Sequence, residues 1–444
     1  MSRRGAPLAR TAGLTALFIA AAAAPARAQA PAAADTVTLA ALQTAAVARD
    51  PRGQQFSLLA AQTELRLRSI AAERLPALNL TGLGQYQSDV IRIPFQLPGG
   101  QAPLAPPHDT YDARLEAQQR LIDPTLGARR GVERAQLAES QARVRTALYG
   151  LRQNVNDTFF AAARLQAQRG DVETSITDLQ AQLRVAQDRV RLGSALPSEA
   201  ATLQAELLRR QQSLAEIDAN RRAALDVLAE LTGVRVASDA ALALPDPATE
   251  VARARAALGD LRARPEYEQF ARTRDLIARQ EDAASAQEKP RVSAFGRAGY
   301  GRPGLNPLNT RFDSYWLGGL QVQWTPWTWG TTRRDREVLA LQRQIVATEE
   351  AAFAEGIRRA VAQDLATIDR LESTLASDEQ IIKLRERIAR ETRLRFQEGV
   401  VTSAEYVDRQ TDVLNARLAR TAHRVELAQA RARFLTTVGV EVGQ

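Results

Sequence analysis

The side chains best placed for chemistry are carboxylates close to the C-terminal end of the chain. Glu405, Asp408 and Asp412 are spaced i, i+3 and i+7, which places them on one face of a helix. Such a row attracts cations and repels a second row of the same kind. A structural alternative stays open, because Thr402 and Glu405 also have the spacing of a capping box and the other two acids could simply be solvated.

Residue usage argues against an enzyme. The chain has no cysteine and two histidines, His108 and His423, so a thiol nucleophile and a cysteine-ligated metal are excluded, and a histidine-based triad is disfavoured. We interpret both histidines as surface or core residues rather than ligands. The Gly-x-Gly pieces at 82–84 and 299–301 lie in or beside predicted strands, so they do not indicate phosphate loops. We therefore predict no catalytic residue, cofactor or metal.

The first 28 residues have the pattern of a secretory signal peptide. Three arginines, Arg3, Arg4 and Arg10, lie before or at the start of an apolar run over 14–24, and Ala26-Arg27-Ala28 is a small-x-small cleavage site. Cleavage there removes four arginines and no acid, so the formal net charge falls from +8 to +4. That nearly neutral balance over a long chain argues against a nucleic-acid partner.

The remaining sequence contains an internal duplication. Prolines 25 residues apart and glycines 40 residues apart recur in the same order in both halves. These are Pro51/Pro76 and Gly193/Gly233 in the first half, and Pro265/Pro290 and Gly399/Gly439 in the second. The pattern predicts two structural repeats over 29–234 and 257–440, joined by a proline-containing linker over 235–256.

Each repeat predicts a mainly α fold with a small β part. The first repeat predicts helix 37–75, strands 77–87 and 111–123, long helix 128–192 and helix 197–232. The second predicts helix 257–288, strands 291–301 and 314–326, long helix 331–398 and helix 403–438. The long helices lack proline and carry apolar residues at spacings of three and four, which indicates a coiled-coil seam roughly 100 Å long. Glycines at 193 and 399 predict the sharp turns of two helical hairpins.

The predicted strands are about the length that crosses a bilayer when tilted, and they alternate apolar with polar residues. Aromatic residues flank this band and are candidates for the membrane interface: Trp316, Trp324, Trp327, Trp329, Tyr111 and Tyr315. A soluble antiparallel sheet with one buried face is the alternative. Four strands cannot close a barrel, so strands in lipid would require oligomerisation, and three copies would supply twelve strands and a tube of long helices.

The signal peptide, the doubled element order and the glycine turns resemble the TolC-like outer membrane efflux protein family over essentially all of residues 37–440. Local motifs agree loosely. Leu75-Pro76 stands before the first strand, with Lys289-Pro290 in the second copy, and Gly127-x-Arg129-Arg130 opens the long helix.

The resemblance implies a homotrimer with a 12-stranded barrel in the bacterial outer membrane lipid and a helical tube in the periplasm. It implies the exit duct of a tripartite efflux or type I secretion system, which conducts substrates passively. The implied partners are a periplasmic adaptor protein and an inner-membrane pump of the RND, ABC or a similar class. Without cysteine the chain is not expected to be a lipoprotein. The alternative function is a periplasmic coiled-coil scaffold or adaptor without a pore.

The resemblance also implies site residues. The family narrows its tube with acids six and nine residues after the second turn glycine, which are Glu405 and Asp408 here, and Glu199 is the matching acid of the first copy. The hairpin tips are the implied adaptor contacts: Arg191, Gly193, Pro197, Gly399 and Thr402.

Overall fold

Thr36 onward forms one structural unit in the computed structural model, which describes residues 36–91, 105–258, 262–307 and 309–440. The predicted signal peptide, residues 1–28, lies outside the described residues. Long helices and one small antiparallel sheet make up the described part, so the predicted mainly α class with a small β part is confirmed.

The two halves contain the same order of major elements. The first half consists of β1 (Thr36–Val37), α1 (Leu39–Arg49), a 3-10 turn (Pro51–Gln54), α2 (Gln55–Ala72), β2 (Ala77–Tyr86), β3 (Asp109–Ile122), α3 (Pro124–Arg191) and α4 (Pro197–Thr232). The second consists of β4 (Ala241–Leu242), α5 (Ala248–Ala256), α6 (Pro265–Ala286), β5 (Arg291–Arg302), β6 (Asp313–Gln323), α7 (Thr331–Gln397) and α8 (Ser403–Val438).

Proline divides two segments that the sequence analysis treated as single helices. The predicted helix 37–75 ends at Arg49, because Pro51 disfavours the helical conformation of the residue before it, and Asp50 is extended with ψ 126°. The predicted helix 257–288 begins only at Pro265, and Arg264 is extended with ψ 141° for the same reason. Both predicted boundaries were therefore wrong, although the prolines that set them are visible in the sequence.

The predicted linker 235–256 is more than a connection. It contains α5, and its β4 pairs in parallel with β1. Arg221 of α4 holds this segment by donating to the backbone carbonyls of Ser238 and Ala240. Two-residue strands and a nine-residue helix are too short for a periodicity signal, so the sequence does not reveal them.

Several other element ends differ from the predicted ones by a few residues. The helix α3 begins at Pro124, four residues before the predicted start, because Asp123 caps it by accepting from the N–H of Thr125 at 3.0 Å. The strand β6 ends at Gln323 rather than 326. The segment after it leads into α7 through two residues of positive φ, Trp329 and Gly330.

The sheet has the strand order β2-β3-β5-β6, and every pair is antiparallel. One row of partners crosses all four strands, from Leu80 to Leu115, Ala298 and Trp316. Strands β2 and β6 each have one unpaired edge among the described residues. The helices directly connected to these strands lie in the same order, since α2 contacts α3, α3 contacts α6 and α6 contacts α7.

The largest core lies where the two repeats meet, around the middle of α3 and the last turns of α8. Phe159, Phe160 and Phe434 are fully buried there. Asn156 of α3 accepts a hydrogen bond from Gln43 of the same repeat at 2.6 Å and joins the two repeats by donating to the hydroxyl of Thr436 at 3.2 Å. No helix in the described ranges has an apolar stretch of the length and hydropathy that a membrane span needs.

We expect the glycines of positive φ to differ in their tolerance of alanine according to the space around them. Gly193 and Gly439 have φ of 74° and 90°, so alanine costs about 1–2 kcal/mol in strain at either position. A Cβ at Gly439 would also lie 3.1 Å from the backbone of Ala263 and Arg264, whereas nothing lies within 4 Å at Gly193. Gly439→Ala should therefore lose roughly 1 kcal/mol or more beyond Gly193→Ala. Urea unfolding followed by circular dichroism measures the difference, and equal losses would contradict the packing argument.

Candidate functional site

The hairpin tips are built by the same turn in both repeats. At the end of α3, Gly193 donates to the carbonyl of Val190 and Ser194 to that of Arg189; at the end of α7, Gly399 and Val400 make the equivalent bonds. This is the Schellman pattern, which requires the left-handed conformation that glycine adopts at 193 and 399. Each return helix then starts four residues after the turn glycine, at Pro197 in one tip and at Ser403, after the capping residue Thr402, in the other.

The two tips are joined into one end by a small apolar cluster to which four helices contribute. Its buried members are Leu179, Leu183, Ala186, Leu203, Phe396, Tyr406 and Val407. The rings of Phe396 and Tyr406 are stacked with centroids 5.1 Å apart. Arg189 of the first tip donates to the carbonyl of Phe396 in the second at 3.2 Å. The cluster therefore fixes the first turns of α8, which carry the predicted acids.

The structure separates the three acids of α8 into two kinds. Glu405 and Asp408 are exposed and form no ion pair within the described part of the chain. Asp412 is half-buried and accepts from Arg385 at 2.8 Å and from Arg409 at 3.0 Å. Asp412 thus makes an ion-paired contact between α7 and α8, unlike the other two acids, and its place among the gate residues stays a prediction.

One of the two hydrogen bonds of the capping box proposed for Thr402 and Glu405 is present. The hydroxyl of Thr402 accepts from the N–H of Glu405 at 3.3 Å, which is one of the two capping-box bonds. The carboxylate of Glu405 accepts no hydrogen bond from the described residues, so it is available to solvent in the first turn of α8. Glu199 occupies the first turn of α4 in the other hairpin and is half-buried. A helix N-terminus stabilises a carboxylate at both positions.

The tips expose apolar side chains that the sequence analysis missed. Arg191 is exposed and pairs with Asp188. Next to it Leu192 is 77% exposed, and Leu196, Leu394 and Val400 are also exposed. In the sequence these residues look like part of the helical seam. Their position near a turn glycine could have predicted their exposure, because the seam has no partner helix to contact beyond the turn.

Ion pairs and hydrogen bonds join the C-terminal half of α7 to α8. Glu386 pairs with Arg417 at 2.6 Å, Asp364 with Arg433 at 2.8 Å, and Asp378 contacts His423 at 2.7 Å. His423, interpreted from sequence as a core or surface residue, therefore helps to hold the second hairpin. Among the described residues, no group of three or more His, Cys, Asp or Glu side chains could hold a metal ion.

The sheet has one apolar and one charged face. On the apolar face Leu80 is 83% and Trp316 80% exposed, and Leu320 and Val322 are exposed beside them. On the other face Arg297 pairs with Glu116 at 3.3 Å and Arg114 with Asp112 at 3.1 Å. None of the described helices covers the apolar face at Leu80 and Trp316.

The predicted interface aromatics do not all share that apolar face. Tyr315 lies on the charged face and donates to Asp112 at 2.5 Å, because it is adjacent in sequence to Trp316 and a strand alternates its side chains. Its place at the membrane interface stays a prediction. Tyr111, Trp316, Trp324, Trp327 and Trp329 are exposed.

Aromatic residues that the sequence analysis left out extend this set at the loop end of the sheet. Phe312 stacks with both Tyr111 and Tyr300, and Tyr86 stacks with His108. At the helix end, Trp327 and Trp329 contact each other edge to face with centroids 5.9 Å apart. Aromatic groups therefore flank the apolar face at both ends.

We expect Tyr406 to make the tip sensitive to alkaline pH. The side chain is 1% exposed, and its burial raises the pKa of the phenol to about 12. A raised acid pKa means that the stability is fully present below the unfolded value near 10 and is lost as the pH rises from about 10 to 12. At pH 11 the loss is about 1 kcal/mol.

Tyr406→Phe is the matched variant, because it keeps the ring that stacks on Phe396 and removes the titrating group. Urea unfolding midpoints of both proteins should be similar at pH 8 and should diverge at pH 11, with the phenylalanine variant the more stable. Parallel loss of stability in the two proteins would refute this role of Tyr406.

Comparison with known proteins identifies the fold of the chain. No protein-family model matches the chain, and no curated protein sequence matches it. Solved structures do. CusC, described for its transmembrane channel formation, superposes with a TM-score of 0.64 at 16% identity, covering 90% of this chain and 92% of that one. The outer membrane protein VceC of Vibrio cholerae gives 0.63 at 16% identity over 91% and 96%. The open-state outer membrane channel MtrE of Neisseria gonorrhoeae gives 0.62 at 17% identity over 91% and 89%. The chain therefore has the fold of these outer membrane proteins, as the resemblance to the TolC-like family predicted.

Proposed function

We propose that the chain is the outer membrane exit duct of a tripartite efflux or type I secretion system and that it conducts substrates passively as a homotrimer. The observation that carries the proposal is a four-stranded sheet with an exposed apolar face, a charged opposite face and two unpaired edges. The shared fold of known outer membrane channels supports it.

The exposure of the apolar face argues against the soluble alternative. A soluble sheet would bury this face, because each exposed large apolar side chain loses about 1.5–3 kcal/mol relative to burial. Leu80 and Trp316 instead lie open across the whole width of the sheet. Lipid outside and water inside match the two faces, and aromatic residues at both ends match the two membrane interfaces.

The unpaired edges support a ring of several copies. An open strand edge in lipid leaves backbone N–H and C=O groups unsatisfied, so β6 of one copy must pair with β2 of the next. The helices α2, α3, α6 and α7 form a row, the helical row, and both of its end helices expose apolar side chains. These are Val338, Leu341 and Ile345 on α7, and Leu58 and Leu65 on α2. Three copies would close twelve strands, a number that leaves an open lumen.

Glu405 and Asp408 are the best candidates for a gate in this duct. The tip cluster fixes them in the first turns of α8, and neither is neutralised by an ion pair in the described residues. Three copies would bring six such carboxylates around one axis, where they would attract cations and repel each other. Glu199 on α4 would add to the same negative potential.

The tips are the proposed contact with a periplasmic adaptor protein, and through it with an inner-membrane pump of the RND, ABC or a similar class. Exposed Leu192, Leu196 and Val400 beside the turn glycines offer apolar anchors of the kind that protein interfaces use. Because the sequence contains no nucleotide-binding motif, the energy for transport would come from the pump. The proposed location is the outer membrane, with the helices in the periplasm.

Planar-bilayer conductance of the purified full chain tests both the duct and the gate. The native protein should give small, cation-selective steps, and Glu405→Ala/Asp408→Ala should give severalfold larger steps with weaker cation preference. Asp226→Ala/Glu230→Ala is the matched control, because it removes two exposed acids from α4 far from the tip. Steps that the tip variant leaves unchanged would remove the gate and keep the channel. A folded trimer that never inserts would instead indicate the periplasmic scaffold.

A charge at the end of the helical row should prevent ring closure. In Leu341→Glu/Ile345→Glu, two carboxylates would be buried against the next copy, and each uncompensated buried charge costs several kcal/mol. We expect the trimer to dissociate, as measured by light scattering after size exclusion. Gln342→Glu/Gln344→Glu adds the same charge at exposed polar positions of the same turns and should leave the trimer intact. If both variants remain trimeric, α7 is not an edge of the assembly.

A further inference from the structure

The connections between the sheet and the helices carry an excess of basic residues. We call residues 72–77, 120–130, 286–291 and 331–337 the basic belt. It contains nine basic and five acidic side chains, so its formal net charge is +4. That is as large as the net charge of the whole chain without the predicted signal peptide, so the rest of the chain balances its charges. The positive charge of the protein is therefore concentrated at the helix end of the sheet.

Two cations of the belt are available to a ligand. Lys289 follows α6 and Arg336 lies in the second turn of α7, and both are exposed. Neither side chain makes a hydrogen bond or an ion pair with another described residue. Their sequence neighbours Glu288 and Asp335 are exposed acids. Adjacent residues do not face each other along a helix, so Asp335 leaves the ammonium-like charge of Arg336 open to solvent.

Ion pairs between α6 and α7 bring the two available cations to one level. Arg343 pairs with Glu281 at 3.1 Å, and Arg274 pairs with Glu350. Both pairs set the same antiparallel register between the two helices. Extended by about two turns toward the sheet, this register brings Lys289 level with the first two turns of α7. The two cations therefore lie at the same height below the sheet.

Exposed tryptophans lie between the apolar face of the sheet and these cations. Trp324 donates its indole N–H to the carbonyl of Glu288, next to Lys289, at 3.0 Å. At the start of α7, Arg334 donates to the carbonyl of Trp329 at 3.2 Å. From β6 into α7 the exposed side chains thus change from apolar to tryptophan to basic. A bilayer presents hydrocarbon, interface and phosphate groups in the same order.

We infer that Lys289 and Arg336 bind the phosphodiester of an anionic phospholipid such as phosphatidylglycerol, with the tryptophans at the interface beside it. This contact rests on the proposed location of the sheet in the outer membrane, and it names the lipid that the helix end of the sheet selects. A zwitterionic lipid carries a cation next to its phosphate, so the two basic side chains gain less from it. Phosphatidylglycerol offers the phosphate without that cation.

The tryptophans provide a direct test, because all four of them lie between residues 316 and 329. The full chain is reconstituted in vesicles of equal parts phosphatidylglycerol and phosphatidylcholine, with brominated acyl chains on one of the two lipids at a time. Bromine quenches the fluorescence of tryptophans that it contacts. We expect phosphatidylglycerol to quench more strongly, with roughly two- to fivefold enrichment around the protein. The difference should shrink as the salt concentration rises.

Lys289→Gln/Arg336→Gln should remove at least half of this enrichment, because it deletes both available cations and no ion pair among the described residues. Lys289→Arg/Arg336→Lys keeps the charges and should keep the enrichment. Arg359→Gln/Arg370→Gln is the matched control. It removes two exposed arginines of α7 that lie about 35 Å or more farther from the sheet than Arg336, so the enrichment should stay unchanged.

Equal quenching by the two lipids would overturn the lipid contact and leave the duct standing, because it would show an inserted sheet without a lipid preference. Absence of quenching by either lipid would contradict the proposed function, and the lipid contact with it. Enrichment that survives in Lys289→Gln/Arg336→Gln would also overturn the assignment. So would an equal loss in Arg359→Gln/Arg370→Gln, because the preference would then reflect net charge alone.

Discussion

The rest of the structure depends on the burial of one apolar seam along helices of 68 and 67 residues. A single helix of that length has no part of itself to pack against, because its ends are too far apart to fold back without a turn. Each long helix therefore returns as a hairpin, α3 with α4 and α7 with α8, and the two hairpins then pack on each other through α3 and α8. The turn glycines, the caps at Pro197 and Thr402, and the tip cluster all follow from this need. So does the position of the acids on α8, which begin within one turn of the cap.

The same constraint explains why the two ends of the chain's helical row and of its sheet stay open. Each half contributes two strands and a long helix, and the halves join side by side at β3 and β5 and at α3 and α6. Duplication of this kind satisfies the inner edges and leaves one edge at each end. The two edges, β2 with α2 and β6 with α7, are different surfaces. Copies that paired through them would be arranged head to tail, which is the arrangement that the proposed ring requires.

Sequence reasoning succeeded where one residue type has one dominant conformational effect. Gly193 and Gly399 end helices, Pro197 begins one, and periodicity over more than sixty residues is unambiguous, so the mainly α class and the hairpins could be derived. It failed where tertiary contacts decide. The short strand β4 is held by β1 and Arg221, and the helix α5 packs against α8. Asp412 looked like Asp408 in the sequence, and only the approach of Arg385 from another helix distinguishes them. Tyr315 and Trp316 are adjacent in β6, so the alternation of side chains places them on opposite faces of the sheet.

In the second hairpin, acids away from the tip form ion pairs between α7 and α8, whereas the acids of α8 nearest the tip form none among the described residues. From Asp364 to Glu386, acids of α7 are held by basic residues of α8, and Asp412 is held by Arg385 in return. The half-exposed pairs Glu386–Arg417 and Asp412–Arg385 each contribute about 0–1 kcal/mol, so they set the alignment of the two helices more than their stability. The carboxylate of Asp364 is only 2% exposed, so its pairing with Arg433 offsets the cost of burying a charge. The first hairpin relies far more on its apolar seam, with Arg169 and Asp218 as a cross-helix pair. Toward the tip the pairing stops between Asp412 and Asp408. Beyond that point α8 still has a fixed position, because Tyr406 is buried in the tip cluster, but its acids have no structural partner in the described residues. The proposed gate would require carboxylates that are fixed in position but not neutralised by an ion pair. The first two turns of α8 carry such carboxylates.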